Sequence, residues 1–187
     1  MKEKLVVGKY TLESLTNGMY SDPQDLYREY IQNAVDSIDL DSEKRHVQIS
    51  DYLINIMIDK LAGSITIMDN GNGISIQKAS QTLIDIGNST KDKRKTRGFR
   101  GIGRLAGLGY CDQLLFLTSY RGENKRTKVS FDTFQLKRLL SYSNDDVVSI
   151  DDVMKRIITI EYEDEEIDNH YFTVILDGVK ESSELLN

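Results

Sequence analysis

DLYREYIQNAVDSIDL, residues Asp25 to Leu40, is the stretch on which the fold of this chain turns. Leu26, Tyr30, Ala34 and Ile38 recur at helical spacing and fall on one stripe, while Glu29, Asn33 and Asp36 share another. The spacing predicts an amphipathic helix with one packed face and one polar face. The only proline, Pro23, stands just ahead of it, where a missing N–H does no harm, and Asp22 or Ser21 is the expected cap.

Working outward, LINIMID (Leu53 to Asp59) and SITIMD (Ser64 to Asp69) are apolar, β-branched runs joined by a short Gly-containing link, the pattern of an antiparallel hairpin. The second run ends in Asp69-Asn70-Gly71-Asn72-Gly73. A helical pattern follows from Ser75 to Ile86, and then a long basic, polar segment runs from Gly87 to Arg100. Gly101 to Gly109 reads as a short helix. DQLLFLTSYR and KRTKVSFD alternate as a second hairpin around Gly122-Glu123-Asn124, and Arg156 to Tyr162 and Phe172 to Leu176 are further strand candidates. No strict βαβ rhythm is present, so the expected class is α+β, a two-layer sandwich with a mixed, largely antiparallel sheet.

A chain of 187 residues is sized for one domain and buries about 70% of its unfolded surface. Hydrophobic residues at 39% and charged residues at 29% exclude a disordered or proline-rich chain. A net charge of −6 argues against a nucleic-acid coating protein. The single cysteine, Cys111, excludes an intrachain disulfide and a thiolate zinc cluster, and His46 and His170 are too few for a histidine metal site. A reducing cytoplasm is the expected compartment. The first residues, MKEKLVVGKY, are too short in their apolar part for a signal peptide, and no run is long enough to span a bilayer.

Three groups of residues carry possible chemistry. The Glu29, Asn33, Asp36 stripe is either a solvated helix face or a carboxylate and carboxamide one turn apart that can hold a water and a hydrated Mg²⁺. Asp69-x-Gly71-x-Gly73 is either an ordinary Asn/Gly turn or a site where glycines admit a ligand and the Asp accepts a hydrogen bond from an exocyclic amine. The third group is Gly98-x-x-Gly101-x-Gly103; residues 101–106, G-x-G-x-x-A, match the relaxed dinucleotide fingerprint only in letters, because they follow a basic segment rather than an apolar strand. Lys91 to Arg104 carries seven Lys/Arg against one Asp, so it is either a solvated loop or a lid whose glycines and amides suit a polyphosphate.

In order, E-x-x-x-N-A-x-D, D-x-G-x-G and G-x-x-G-x-G resemble the successive boxes of the GHKL ATPases. That group includes gyrase, the ninety-kilodalton heat-shock chaperone, sensor histidine kinases and MutL. Tyr27 to Asp36 together with Gly98 to Gly103 is most similar to the chaperone's N-terminal ATPase domain, with MutL and the MORC ATPases close behind. Histidine kinases fit less well, because their helix box usually lacks the hydrolytic Glu. The motifs cover roughly Tyr20 to Gly109.

The resemblance implies a Bergerat ATP-binding fold, with ATP and Mg²⁺ as cofactors. It implies that Glu29 polarises the attacking water, Asn33 ligates Mg²⁺, Asp36 supports the helix face, and Asp69 accepts the adenine amino group. Gly71 and Gly73 would admit the base, while Gly98, Gly101 and Gly103 hinge and cradle the triphosphate under a lid at about 87–104. Lys91, in Asn88-Ser89-Thr90-Lys91, is placed to reach a phosphate. Thr173 is matched to the family's Gly-Thr threonine near the adenine, without the preceding glycine. The implied activity is slow ATP hydrolysis in a lid-gated, dimerising switch that serves a client protein and has no membrane partner. The expected organisation is one ATP-binding domain over 1–187, the N-terminal part of a longer protein whose downstream domain supplies a catalytic Lys or Arg. The alternatives are a MutL- or MORC-like DNA-associated ATPase, or a non-hydrolysing module contacting protein or nucleic acid through Lys91 to Arg104. The acidic run Asp145 to Asp168, ten Asp/Glu against two Lys/Arg, is expected on the far or partner-facing side.

Overall fold

The alternating runs form strands because every second side chain is apolar and meets the same face. A computed structural model describes residues 22–84, 103–142, 150–181 and 183–187. Its strands are β1 (Ile54–Asp59), β2 (Ser64–Asp69), β3 (Gln113–Ser119), β4 (Lys125–Asp132), β5 (Ile158–Asp164) and β6 (Tyr171–Asp177). They make one six-stranded sheet in the order β1-β2-β6-β3-β4-β5. The α+β sandwich is as expected. Every strand pair among the described residues is antiparallel, in keeping with a largely antiparallel sheet.

Two hairpins close on local chemistry. In the first, the Asp59 carboxylate accepts the amides of Leu61 and Ala62 at 3.0 and 2.9 Å, and Gly63 takes a positive φ of 64° to complete the turn. In the second, Gly122 takes φ 83° and the Glu123 amide donates to the Tyr120 carbonyl at 3.0 Å.

The decisive helix, α1, spans Asp25–Arg45 and buries Leu26, Tyr30, Ala34 and Ile38, the stripe its spacing predicts. Asp22 caps the entry turn, accepting the Gln24 amide at 2.9 Å. The second helix, α2 (Ile76–Ile84), lies within the predicted Ser75 to Ile86. Gly103–Gly109 is a 3₁₀ segment. The helices α3 (Thr133–Tyr142) and α4 (Ile150–Ile157) are additions to the sequence reading.

The core fills the space between the helices and one sheet face. Leu26, Ile65, Leu83, Leu105, Leu108, Leu114, Phe116, Phe131, Leu136 and Leu176 are fully buried, each apolar side chain contributing about 1.5–3 kcal/mol. Phe116 meets Phe131 edge-on and stacks on Phe172, both at 5.8 Å between centroids. This packing fixes β3, β4 and β6 against one another, and so fixes the strand ends that carry the site.

The acidic run is partly neutralised within the chain. Asp164, Glu163 and Glu161 on β5 stand directly opposite Lys125, Arg126 and Lys128 on β4 and pair with them at 2.8, 2.5 and 2.8 Å. No helix among the described residues is long and apolar enough to cross a membrane.

Candidate nucleotide site

Helix α1 is the floor of the site. Glu29, Asn33 and Ser37 lie at successive turns on one stripe, so the floor runs about 12 Å from Glu29 to Ser37. Glu29 and Asn33 are half-buried, and the Asn33 amide nitrogen donates to Glu29 Oε1 at 3.3 Å. That bond turns the amide oxygen away from the carboxylate, which is the atom a cation takes. Asp36 accepts from Gln32 Nε2 at 2.9 Å, a bond within the helix.

At the Ser37 end sits the turn after β2. Asp69 is only 2% exposed, and its Oδ1 accepts the Gly71 amide at 2.9 Å. Burial pushes its carboxyl up to about 7, against the opposing pull of that hydrogen bond. A Cβ on Gly71 would lie 2.8 Å from both Asp69 Oδ1 and Ser37 Oγ. Gly73 has φ 69°, and a Cβ there would lie 1.9 Å from the Ser119 carbonyl oxygen. Both positions therefore require glycine for space, and Gly73 also for backbone conformation.

Three residues that sequence reasoning missed hold this turn. Ser37 abuts Gly71 from α1. Thr118 on β3 accepts the Ile74 amide at 2.8 Å and donates to the Tyr171 carbonyl at 3.1 Å. His170, just ahead of β6, uses Nδ1 to donate to the Gly71 carbonyl at 2.8 Å, while Arg121 contacts its other ring nitrogen. An arginine donor on Nε2 fixes the tautomer with its proton on Nδ1.

The Thr173 match needs correction. The register sets Phe172, not Thr173, opposite Asp69 on β2 and Thr118 on β3. Alternation then puts Phe172, Val174 and Leu176 on the face of Asp69, and Thr173 on the other face with Met68 and Leu117. Thr173 and Asp69 are not brought together.

At the Glu29 end, Gly103 is buried against the catalytic candidate: a Cβ there would lie 2.0 Å from Glu29 Oε1. Lys91, Gly98 and Gly101 lie outside the described residues, as does the expected lid except for Gly103 and Arg104. Arg104, counted with the basic segment, sends its Nε to the Leu83 carbonyl at 3.3 Å, at the C-terminal end of α2. Among the described residues no cluster of three or more His, Cys, Asp or Glu is arranged to hold a metal. The Asn33 amide oxygen is a described donor beside Glu29, and it suits a Mg²⁺ ion that keeps its waters and phosphate oxygens.

A buried carboxylate at a strand end, a closely packed glycine turn beside it, and a carboxylate with a carboxamide at the far end of the α1 stripe fit one class: an α+β nucleotide-binding fold. A family profile described as histidine kinase-, DNA gyrase B- and HSP90-like ATPase matches residues 21–158, and the chain belongs to that family. Among similar curated proteins, the chaperone protein HtpG of Streptomyces coelicolor is 26% identical over 143 residues, 66% of this chain and 22% of that protein. The HtpG of Mycolicibacterium gilvum is 29% identical over 137 residues, covering 63% and 21%. The HtpG of Polaromonas naphthalenivorans is 35% identical over 102 residues, covering 51% and 15%. The chain spans about a fifth of the length of the curated relatives it matches.

Proposed function

We propose that this chain binds ATP across the floor of α1 and hydrolyses it slowly. The single observation that carries this is the pairing of Asp69, buried beside Gly71 at one end of the α1 stripe, with Glu29 and Asn33 at the other. The adenine amino group donates to the Asp69 carboxylate, and Gly71 and Gly73 give the base room. The Glu29 carboxylate accepts a proton from the attacking water as bond formation to phosphorus proceeds. Asn33 steadies that carboxylate through its amide nitrogen and offers its oxygen to Mg²⁺, which neutralises phosphate charge when bound. Lys91, Gly98, Gly101 and Gly103 belong to a lid at about 87–104 that closes over the triphosphate.

In the same reading the chain is one ATP-binding unit of a larger, HtpG-like switch that dimerises when the lid closes and releases on hydrolysis. A client protein is the proposed partner. The support is the family membership together with the similarity to chaperones named HtpG.

Isothermal titration with Mg-ATP tests the site. Asp69→Asn should abolish binding, and normal binding by that variant would move the site elsewhere. Glu29→Ala should bind nucleotide within a few-fold of the parent and lose turnover; parallel loss of both would remove Glu29 from the role of base.

A further inference from the structure

Tyr30 follows Glu29 directly on α1, is 3% exposed, and belongs to the packed stripe. Its hydroxyl is not idle in that packing. It donates to the Arg104 carbonyl at 3.0 Å and accepts the Gly107 amide at 3.0 Å. Arg104 and Gly107 are the i and i+3 residues of one 3₁₀ turn, so the hydroxyl bridges both ends of that turn. The fit is close: a Cβ on Gly107 would lie 2.8 Å from the Tyr30 oxygen. A phenylalanine could fill the same volume, so the hydroxyl is present for its two hydrogen bonds.

The 3₁₀ segment holding that turn begins at Gly103, whose backbone is the wall against the Glu29 carboxylate. Two consecutive residues of α1 thus hold one segment, Glu29 by contact and Tyr30 by a donor and an acceptor. We infer that Tyr30 is a positioning residue for hydrolysis: its hydroxyl locks the Gly103–Gly109 segment so that Gly103 confines the Glu29 carboxylate in the orientation that takes the proton of water. The inference rests on the ATPase reading, and it makes the step that orders the segment depend on a buried side chain of the packed stripe.

Tyr30→Phe in the full chain tests it by steady-state ATPase kinetics together with hydrogen exchange at the Gly107 amide. Losing two buried hydrogen bonds should lower kcat about tenfold or more with KM for ATP within about twofold, and should speed Gly107 exchange about tenfold. Unchanged kcat overturns the inference whether or not exchange quickens, since the bonds would then be structural only. A matched loss in nucleotide affinity and kcat overturns it too, because it would mark general loosening of the site. Parent protein and Glu29→Ala are run alongside: a parent without turnover, or a Glu29 variant that retains it, fails the ATPase reading itself and is thereby told apart from failure of the Tyr30 lock alone.

Discussion

In the proposed site, Asp69 sets folding and binding against each other. With its carboxyl at about 7 in the fold, against an ordinary value near 3.8, the native protein holds a proton that the unfolded chain has released between those values. Stability from this group therefore falls as pH rises from about 4 to about 7, and stays low above. Nucleotide affinity runs the other way, because only the ionised carboxylate is a pure acceptor for the adenine amine. Titrations with ATP from pH 5.5 to 8.5 should show affinity rising about tenfold per pH unit below 7 and levelling above it; a flat profile would remove Asp69 from the contact. Asp69→Asn should melt higher than the parent at pH 8 while failing to bind, and a lower melting temperature would show that the buried charge is compensated in the fold.

The β4–β5 ladder is the clearest case at the scale of elements. Three cation and carboxylate pairs face each other across one strand pair; Asp164 is almost fully exposed, while the more sheltered Lys128–Glu161 pair is worth roughly 0.2–1 kcal/mol and is screened by salt. A double-mutant cycle with Lys128→Ala and Glu161→Ala should give a coupling in that range at low salt that fades by about 1 M. A coupling of several kcal/mol, or one indifferent to salt, would contradict a solvated ladder.

What the sequence disclosed follows from where the signals are local. The α1 stripes and both hairpins were legible because spacing and turn residues sit within a few positions of one another. Helix α4 was not, being eight residues long, too short for a period to declare itself. Helix α3 carried a readable signal in Asp132-x-x-Gln135, where the Asp132 carboxylate accepts the Gln135 amide at 2.8 Å, the first half of a capping box. Thr173 misled because it was matched by residue type, whereas the alternation of Phe172, Val174 and Leu176 decides which face looks at Asp69. Ser37, Thr118 and His170 gave no sign, since their partners lie far away in sequence: 44 residues separate Ile74 from Thr118, and 99 separate Gly71 from His170. The glycine and carboxylate pattern marked the turn proposed to take the ligand, and the tertiary contacts alone show what holds that turn in place.

For the molecule as a whole, the lone cysteine is a built-in reporter. Cys111 is buried and its thiol is pushed up to about 12, so the reactive thiolate is scarce as well as shielded. A disulfide-exchange reagent at pH 8 should label it only as the protein opens, and saturating Mg-ATP should slow that labelling at least several-fold. Fast labelling of the native chain would place Cys111 in a region that opens separately from the core. The order of the strands adds a consequence for how the chain is made. The last described strand, β6, lies between β2 and β3, so Asp69 and Thr118 come to either side of Phe172 only when β6 has joined them. Until residues Tyr171 to Asp177 leave the ribosome, the nascent chain carries a two-stranded piece and a separate β3–β4–β5 piece, each with an unpaired edge. In the proposed reading nucleotide can therefore help only once β6 has emerged, and the interval before that is when these residues are most open to aggregation.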